Sequence, residues 1–178
     1  MKRKITFLLL IFSVLLVSAA TKASSNMVTG IEVSGNREIA DEVILEVVEL
    51  QIGEELDSSL LQGDLQRIFE LGWFMDVRVD FRPHEDGVRV VFEVKENFKL
   101  EGIIFHGTEV IPTAELEGKM RLEGGKILNT RYLEQDLRTL EEEYHDRGYI
   151  LTRIRQVFLN EEGYLEVTVN EGYLGQIH

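Results

Sequence analysis

Residues 71–81 read LGWFMDVRVDF, and this stretch decides the fold because the hydrophobic pattern changes within it. Ahead of Gly72, apolar residues recur at helical spacing, which predicts a helix that ends at the glycine. The predicted buried stripe of that helix is Leu60, Leu61, Leu65, Ile68 and Phe69. Beyond Gly72, apolar and charged residues alternate, which predicts a strand buried on one face. The predicted inward residues of that strand are Val77, Val79 and Phe81.

The chain on either side of this stretch completes one structural unit. Residues 28–33 form a short apolar strand pattern. Residues 39–50 then change to a helical period, and Asp57 or Ser58 is expected to cap the helix that follows. The apolar face of the first helix is predicted to hold Val43, Ile44, Val47 and Val48. With a last strand at 88–94, the predicted order is strand, helix, helix, strand, strand.

The chain contains two copies of this unit. Matches at an offset of 72 positions include Ser34-Gly35-Asn36 with His106-Gly107-Thr108, Asp64 with Asp136, and Leu65 with Leu137. The offset then grows to 76, where Gly72-Trp73-Phe74 matches Gly148-Tyr149-Ile150. It ends at 75, where Val94-Lys95-Glu96 matches Val169-Asn170-Glu171. The gain of four residues falls within a helix, where it adds about one turn. A repeated unit predicts a modular array rather than one enzyme pocket.

The second copy is clear except for one strand. Asn129 or Thr130 is expected to cap its long helix. The strand after Gly148 has two candidate inward sets. One set is Ile150, Thr152, Ile154, Gln156 and Phe158, and the other is Leu151, Val157 and Leu159. We favour Ile154 inward, because the alternative buries two arginines and unpaired buried charge is costly.

These elements predict an α+β fold made of two tandem β-α-α-β-β units. The last two strands of each unit form a hairpin, and the first strand must pair beside it. Each unit is therefore expected to be a three-stranded mixed sheet with two helices packed on one face. The predicted domains are 27–97 and 98–174.

The N-terminal residues 1–23 have the pattern of a secretory signal. Lys2, Arg3 and Lys4 precede an apolar run from 5 to 17, and small residues follow it. Cleavage is expected after Ala20 or Ala23. The alternative is an uncleaved membrane anchor, although the run is shorter than the roughly 20 residues that span a bilayer.

Charge and composition exclude several classes of function. Without residues 1–23, the chain keeps 15 basic and 32 acidic residues, a net charge of −17, which disfavours nucleic acid as a partner. The four histidines, His84, His106, His145 and His178, are scattered and do not suggest a metal site. The acidic run 141–143 is interpreted as a solvated helix face. We predict no catalytic residue, no cofactor and no metal.

The unit resembles the POTRA domain, the polypeptide-transport-associated module. The residues that carry the resemblance are Ile31-Glu32-Val33-Ser34-Gly35-Asn36, Gly53-Glu54-Glu55-Leu56, Asp64-Leu65-Gln66-Arg67-Ile68-Phe69, Leu71-Gly72-Trp73-Phe74, Asp76-Val77-Arg78-Val79 and Val94-Lys95-Glu96. Two tandem copies after a signal are similar to the periplasmic arm of BamA-like outer-membrane assembly factors. The second copy departs more, with Thr108 in place of Asn and a weaker Arg147-Gly148-Tyr149-Ile150 step.

The resemblance implies a non-enzymatic role in the periplasm, at the outer membrane. Members of the family join such modules to a membrane β-barrel and assemble or translocate other polypeptides. The implied partners are unfolded outer-membrane proteins, accessory assembly proteins and the membrane, through a C-terminal barrel that this chain does not contain. Residues 175–178 align with the start of a further unit. A second hypothesis is a cell-division or septum protein that is anchored by an uncleaved N-terminal helix.

Binding is expected at a sheet edge, where free backbone groups can pair with an extended client strand. The candidate edges are the strands at 75–81 and 152–158. The candidate residues are Asp76, Val77, Arg78, Val79, Asp80, Arg153, Ile154, Arg155 and Gln156. Their charged side chains have an alternative role, which is to prevent aggregation at the edge.

Overall fold

The computed structural model describes residues 26–172. The predicted signal at 1–23 and the predicted start of a further unit at 175–178 lie outside these residues. Ten elements follow one another in the predicted order, five per unit. The first unit holds β1 (Val28–Ser34), α1 (Asp41–Leu45), α2 (Ser58–Glu70), β2 (Phe74–His84) and β3 (Gly87–Glu96). The second holds β4 (Gly102–His106), α3 (Thr113–Glu117), α4 (Thr130–Asp146), β5 (Arg153–Leu159) and β6 (Tyr164–Asn170).

Each unit has one three-stranded mixed sheet, as predicted. The strand orders are β1-β3-β2 and β4-β6-β5. The last strand of each unit is central, parallel to the first strand and antiparallel to its hairpin partner. The hairpin partners β2 and β5 therefore lie at sheet edges.

One apolar core per unit lies between the helices and one face of the sheet. The first core includes Val28, Ile44, Leu61, Ile68, Phe74, Val90, Phe92 and Val94. The second includes Leu100, Ile111, Leu116, Leu140, Tyr144, Leu165, Val167 and Val169. Leu65 and Leu137 are half-buried and pack against the two cores at equivalent positions. In residues 26–172, no helix has the length and apolar character needed to cross a bilayer.

The caps and helix ends follow from local chemistry. The Asp57 carboxylate accepts hydrogen bonds from the amides of Ser59 and Leu60, at 2.6 and 3.2 Å, so it is the N-cap of α2. Asn129 is the N-cap of α4 and accepts from the Tyr132 amide at 2.9 Å. Gly72 follows α2 with φ of +81°, a conformation that glycine adopts without steric cost.

The first helix is much shorter than predicted. It covers Asp41–Leu45 rather than 39–50, and of its predicted apolar face only Ile44 is fully buried. Val47 and Val48 pack on the core from the turn that follows. The helix cannot continue to residue 50, because the amides of Glu49 and Leu50 donate to the Asp64 carboxylate instead of to helical carbonyls.

The predicted stripe of α2 is wrong at one position. Phe69 is 53% exposed, while Asp64 is fully buried within the stripe. The buried residues of α2 are Leu61, Asp64 and Ile68, which share one face at spacings of three and four. Phe69 lies one residue beyond Ile68 and is rotated away from that face.

A β-bulge resolves the ambiguous strand of the second unit. The register shifts between Ile154 and Gln156, so that Ile154 pairs with Val169 while Val157 pairs with Val167. Residues on both sides of the bulge consequently pack on the same core: Ile154, Val157 and Leu159. The two candidate sets are therefore each correct in part, and the preference for Ile154 inward is confirmed.

The repeat breaks just before that strand. Phe74 is buried, whereas Ile150, which was aligned with it, is 67% exposed. Thr152 is fully buried instead, and its hydroxyl donates to the Glu171 carbonyl at 3.2 Å. The equivalence of Phe74 and Ile150 is wrong, because the chain makes an additional turn here before β5 begins.

Backbone and side-chain hydrogen bonds join the two units. The Gly72 carbonyl accepts from the Thr130 amide at 2.9 Å, and the Asn97 side-chain amide donates to the Leu128 carbonyl at 2.9 Å. The Asn129 side chain donates to the Leu71 carbonyl at 2.8 Å. The Trp73 ring meets the Tyr132 ring edge-on, with centroids 5.5 Å apart. Residues 71–73, which follow α2, thus also contact the second unit.

Candidate functional site

Of the two outer strands in each sheet, the first is partly covered. Val28 in β1 donates to the Glu54 carbonyl and accepts from the Gly53 amide, both at 2.8 Å. Leu100, just ahead of β4, makes the same pair of bonds with Lys126 and Gly125. These loops occupy the start of the first-strand edges. The outer edges of β2 and β5, which are the predicted binding sites, carry no such loop within residues 26–172.

The direction of the backbone groups in β2 follows from β3. The Val88 amide donates to Met27 at 2.9 Å, so residues 88, 90, 92 and 94 turn their backbone groups toward the β1 side. Their partners in β2 then turn their N–H and C=O groups outward, because such groups alternate along a strand. The outward residues of β2 are Val77, Val79, Phe81 and Pro83.

Two of these four positions offer no amide to another strand. The Phe81 N–H donates to the Asp80 carboxylate at 2.9 Å, and Pro83 has no N–H. Within residues 26–172, the amides of Val77 and Val79 donate to no loop and to no side chain. The accessible part of the β2 edge is therefore the short stretch around Val77 and Val79.

The charged side chains of β2 are paired within the unit. Arg78 lies 2.8 Å from Asp76, and Arg82 lies 3.0 Å from Asp80. Arg82 also reaches Glu93 at 3.4 Å. This charged face is opposite the helices and covers Val91, which is fully buried. These side chains already have partners within the unit, whereas the outward amides of Val77 and Val79 have none described.

The β5 edge differs at its first position. The Glu101 amide donates to the Gly163 carbonyl at 2.9 Å, so the odd-numbered residues of β6 turn toward β4 and their partners in β5 turn outward. The outward residues are Ile154, Val157 and Leu159. The Ile154 N–H donates to the Glu141 carboxylate at 2.8 Å.

The acidic run 141–143 is therefore more than a solvated face. Glu141 extends from α4 to the strand edge, and Glu143 pairs with Lys119 at 2.7 Å and Arg147 at 2.8 Å. These two bonds lower the pKa of Glu143. Of the three residues, Glu142 alone is exposed and has no described partner, as the prediction of a solvated face requires.

The other predicted residues of β5 are exposed. The Arg153 guanidinium donates to the Thr152 carbonyl at 2.6 Å and lies 2.8 Å from His145. Arg155 is the unpaired residue at the bulge, Gln156 pairs with Thr168, and both side chains are exposed. A shallow groove between α4 and β5 is lined by Leu137, Arg138, Glu141, Ile154 and Val157, among others.

One carboxylate in each unit, Glu96 or Glu171, holds a loop in place, a role that was not predicted. The Glu96 carboxylate accepts from three successive amides, those of Arg37, Glu38 and Ile39, at 2.8 to 2.9 Å. Burial acts to raise the pKa of Glu96, but the three hydrogen bonds outweigh it and the pKa is lowered. Glu171 repeats the arrangement with the amides of Glu109 and Val110. The signal was available, because acids stand at matching positions of the repeat.

The described residues 26–172 hold no group of three or more His, Cys, Asp or Glu side chains that could bind a metal ion.

Comparisons with known proteins agree with this architecture. The family model described as POTRA, surface antigen variable number repeat, matches residues 27–97 and 98–172. The outer membrane protein assembly factor BamA of Nitratidesulfovibrio vulgaris is 26% identical over 131 residues, which are 74% of this chain and 17% of that protein. The chloroplastic outer envelope protein 80 of Oryza sativa subsp. japonica is 32% identical over 66% of this chain and 18% of its own length. The chain thus spans less than a fifth of these relatives.

Solved structures give the same result. The N-terminal domain of Omp85 from Thermosynechococcus elongatus superposes with a TM-score of 0.73 at 25% identity, covering 84% of this chain and 64% of that one. POTRA domains 1–3 of Omp85 from Anabaena give a TM-score of 0.64 at 30% identity, covering 82% and 61%.

Proposed function

Because this chain belongs to the POTRA family, we propose that it is the periplasmic polypeptide-binding part of an outer-membrane β-barrel assembly or translocation protein. The observation that carries the proposal is the open edge of β2 at Val77 and Val79, whose outward amides have no partner within residues 26–172. An extended client segment can add to this edge as a fourth strand. Main-chain hydrogen bonds would supply the affinity, so many client sequences would be accepted.

The partners follow from the same premise. The clients are unfolded outer-membrane proteins, and accessory assembly proteins dock on the remaining surface. A membrane barrel carried outside this chain anchors the whole protein, and residues 1–23 act as a cleaved export signal. The protein performs no catalysis itself. The named relatives are outer-membrane and outer-envelope proteins, which favours this proposal over an anchored cell-division protein.

The paired charges on β2 fit this role. Because Arg78 and Asp76 bind each other, neither needs a partner from a client. Charged side chains beside an open edge also disfavour permanent pairing with another copy of the chain. A weak and reversible contact is what a protein needs if it must release its clients.

The test is an NMR titration of the isotope-labelled protein with a peptide taken from a transmembrane β-strand. We expect chemical-shift changes at the amides of Val77, Val79 and their neighbours. Weak binding that tolerates changes in the peptide side chains would agree with backbone pairing. Shifts confined to the outer faces of α2 and α4, with β2 and β5 unchanged, would overturn the proposal.

A further inference from the structure

The two edges differ at one equivalent amide. Val94 and Val169 are matched by the repeat, and they pair with Val77 and Ile154 respectively. Both partners turn their N–H groups outward. The Ile154 N–H is occupied by the Glu141 carboxylate at 2.8 Å, whereas the Val77 N–H donates to no loop and no side chain in the described chain.

A difference on the helices contributes to this, beside the longer α4 and the bulge in β5. Asp64 in α2 and Asp136 in α4 have the same role, since each carboxylate accepts from two successive amides of the loop between the helices. The two helices are therefore in the same phase at these residues. Five positions later, the first unit has Phe69 and the second has Glu141. Phe69 is 53% exposed, and it has no group that could accept from an amide.

We infer that Glu141 closes the β5 edge to incoming strands, so that the first unit is the primary receptor for extended polypeptides. The inference rests on the proposed function, because it assumes that clients bind by strand addition. The Glu141 carboxylate occupies the place that a client carbonyl would take. Because it is charged, its hydrogen bond to the amide is stronger than the neutral bond that would replace it.

The first unit presents a different surface to a client. Its edge amides at Val77 and Val79 are open. The exposed Phe69 occupies the helix position that corresponds to Glu141 of the second unit. The segment that fits is extended, and it carries an apolar or aromatic side chain that packs on Phe69. Such side chains alternate with polar ones in membrane barrel strands. A client with a carboxylate at this position would be disfavoured by the net negative charge of the chain.

The second unit is a latent site under this inference. Val157 and Leu159 keep outward amides, so only the Ile154 position is closed. A client strand must displace Glu141 before it can pair along the whole edge. We expect the second unit to bind only at higher client concentration than the first.

The test compares Glu141→Ala with Glu142→Ala in the NMR titration with the barrel-strand peptide. Both variants remove one negative charge from the same part of α4, but Glu142 is exposed and has no described contact. In the wild type, we expect the amides of Val77 and Val79 to shift at lower peptide concentration than those of β5. Glu141→Ala should tighten binding at β5 by about three- to tenfold, the range set by one hydrogen bond. Glu142→Ala should leave it unchanged.

Two further readouts do not depend on peptide binding at β5. Amide hydrogen exchange at Ile154 should accelerate in Glu141→Ala without any peptide, because the carboxylate no longer protects the N–H. The reciprocal change Phe69→Glu should weaken binding at β2 by a similar factor. Its matched control is Gln62→Glu, which adds the same charge at an exposed position of α2.

The outcomes separate the inference from the proposed function. If wild-type β2 and β5 bind the peptide equally and Glu141→Ala changes neither affinity nor exchange, the inference is overturned while strand addition stands. If no edge amide shifts in any variant, strand addition fails, and the inference fails with it. If binding at β5 tightens in Glu141→Ala but not in Glu142→Ala, the result supports both the inference and the proposed function.

Discussion

Asp64 and Asp136 are buried at the same place in the two units and do the same work. Each carboxylate accepts hydrogen bonds from two successive backbone amides, at 2.7 and 3.1 Å for Asp64 and at 2.9 and 3.1 Å for Asp136. Each also pairs with an arginine, Arg67 or Arg121. The loop between the helices is thereby fixed to the second helix of each unit.

We predict that Asp64→Ala destabilises the first unit by about 1–3 kcal/mol, because the part-buried amide of Glu49 and the buried amide of Leu50 lose their acceptor. Urea unfolding followed by the fluorescence of Trp73, the single tryptophan, would measure the change. Gln62→Ala is the control, since Gln62 lies exposed on the same helix. Equal stability of the two variants would show that the carboxylate does not hold the loop.

Glu96 should make the stability of the first unit depend on pH. Its pKa is lowered in the folded protein from an ordinary value of 4.5. A lowered pKa means that the stabilising contribution is fully present above the unfolded value and is lost as pH falls through the folded one. We therefore expect Glu96→Gln to be less stable than the wild type at pH 7, with the difference shrinking below about pH 4.5. A difference that stays constant from pH 7 to pH 3 would contradict this.

The contact between the units should not tolerate a side chain at Gly72. A Cβ atom there would lie 2.6 Å from the Asn129 side-chain oxygen and 2.9 Å from the Arg131 amide. Gly53 is the matched control, because it has φ of +95° against +81° for Gly72 and an added Cβ would meet nothing within 4 Å. Both alanine variants carry the backbone cost of about 1–2 kcal/mol.

Only Gly72→Ala should also change the orientation of the units, which residual dipolar couplings would detect. Identical couplings in Gly72→Ala and Gly53→Ala would contradict the prediction. The wild-type couplings give the reference orientation.

Proline substitutions should distinguish the amides that face a client from those that bond to β3. Val79 turns its N–H outward, so Val79→Pro removes a donor to the client and leaves the bonds to β3 in place. Arg78 turns its N–H toward β3, so Arg78→Pro breaks the ladder and should destabilise the unit. We expect Val79→Pro to weaken peptide binding about tenfold, with a much smaller loss of stability than Arg78→Pro. Unchanged peptide affinity in Val79→Pro would place the binding surface elsewhere.

The sequence predicts the fold well because the helical and alternating spacings of its apolar residues, and the glycines between them, are local signals. The change at Gly72 from helical to alternating spacing defines the boundary of α2 and β2, and the repeat confirms it. The length of the first helix could not be predicted, because a carboxylate 14 and 15 residues away takes the amides that would continue it. The exposure of Phe69 follows from helix geometry, because Phe69 is rotated off the face that Leu61, Asp64 and Ile68 share.

The candidate site was only partly predictable. Alternation identifies β2 and β5, but the edge position depends on which strand lies in the centre of the sheet. The bulge at residues 154–156 changes the facing of β5, and no local pattern indicates it. The contact of Glu141 with Ile154 joins a helix to a strand, and the sequence places it within an acidic run of no evident role.

Hydrogen exchange at the β2 edge tests the central claim most directly. The amides of Val77 and Val79 should exchange quickly in the free protein and slowly when it is saturated with a barrel-strand peptide. The Arg78 amide, which already bonds to β3, should change little. If the peptide binds and the exchange rates of Val77 and Val79 remain those of the free protein, clients do not bind by adding a strand to this edge.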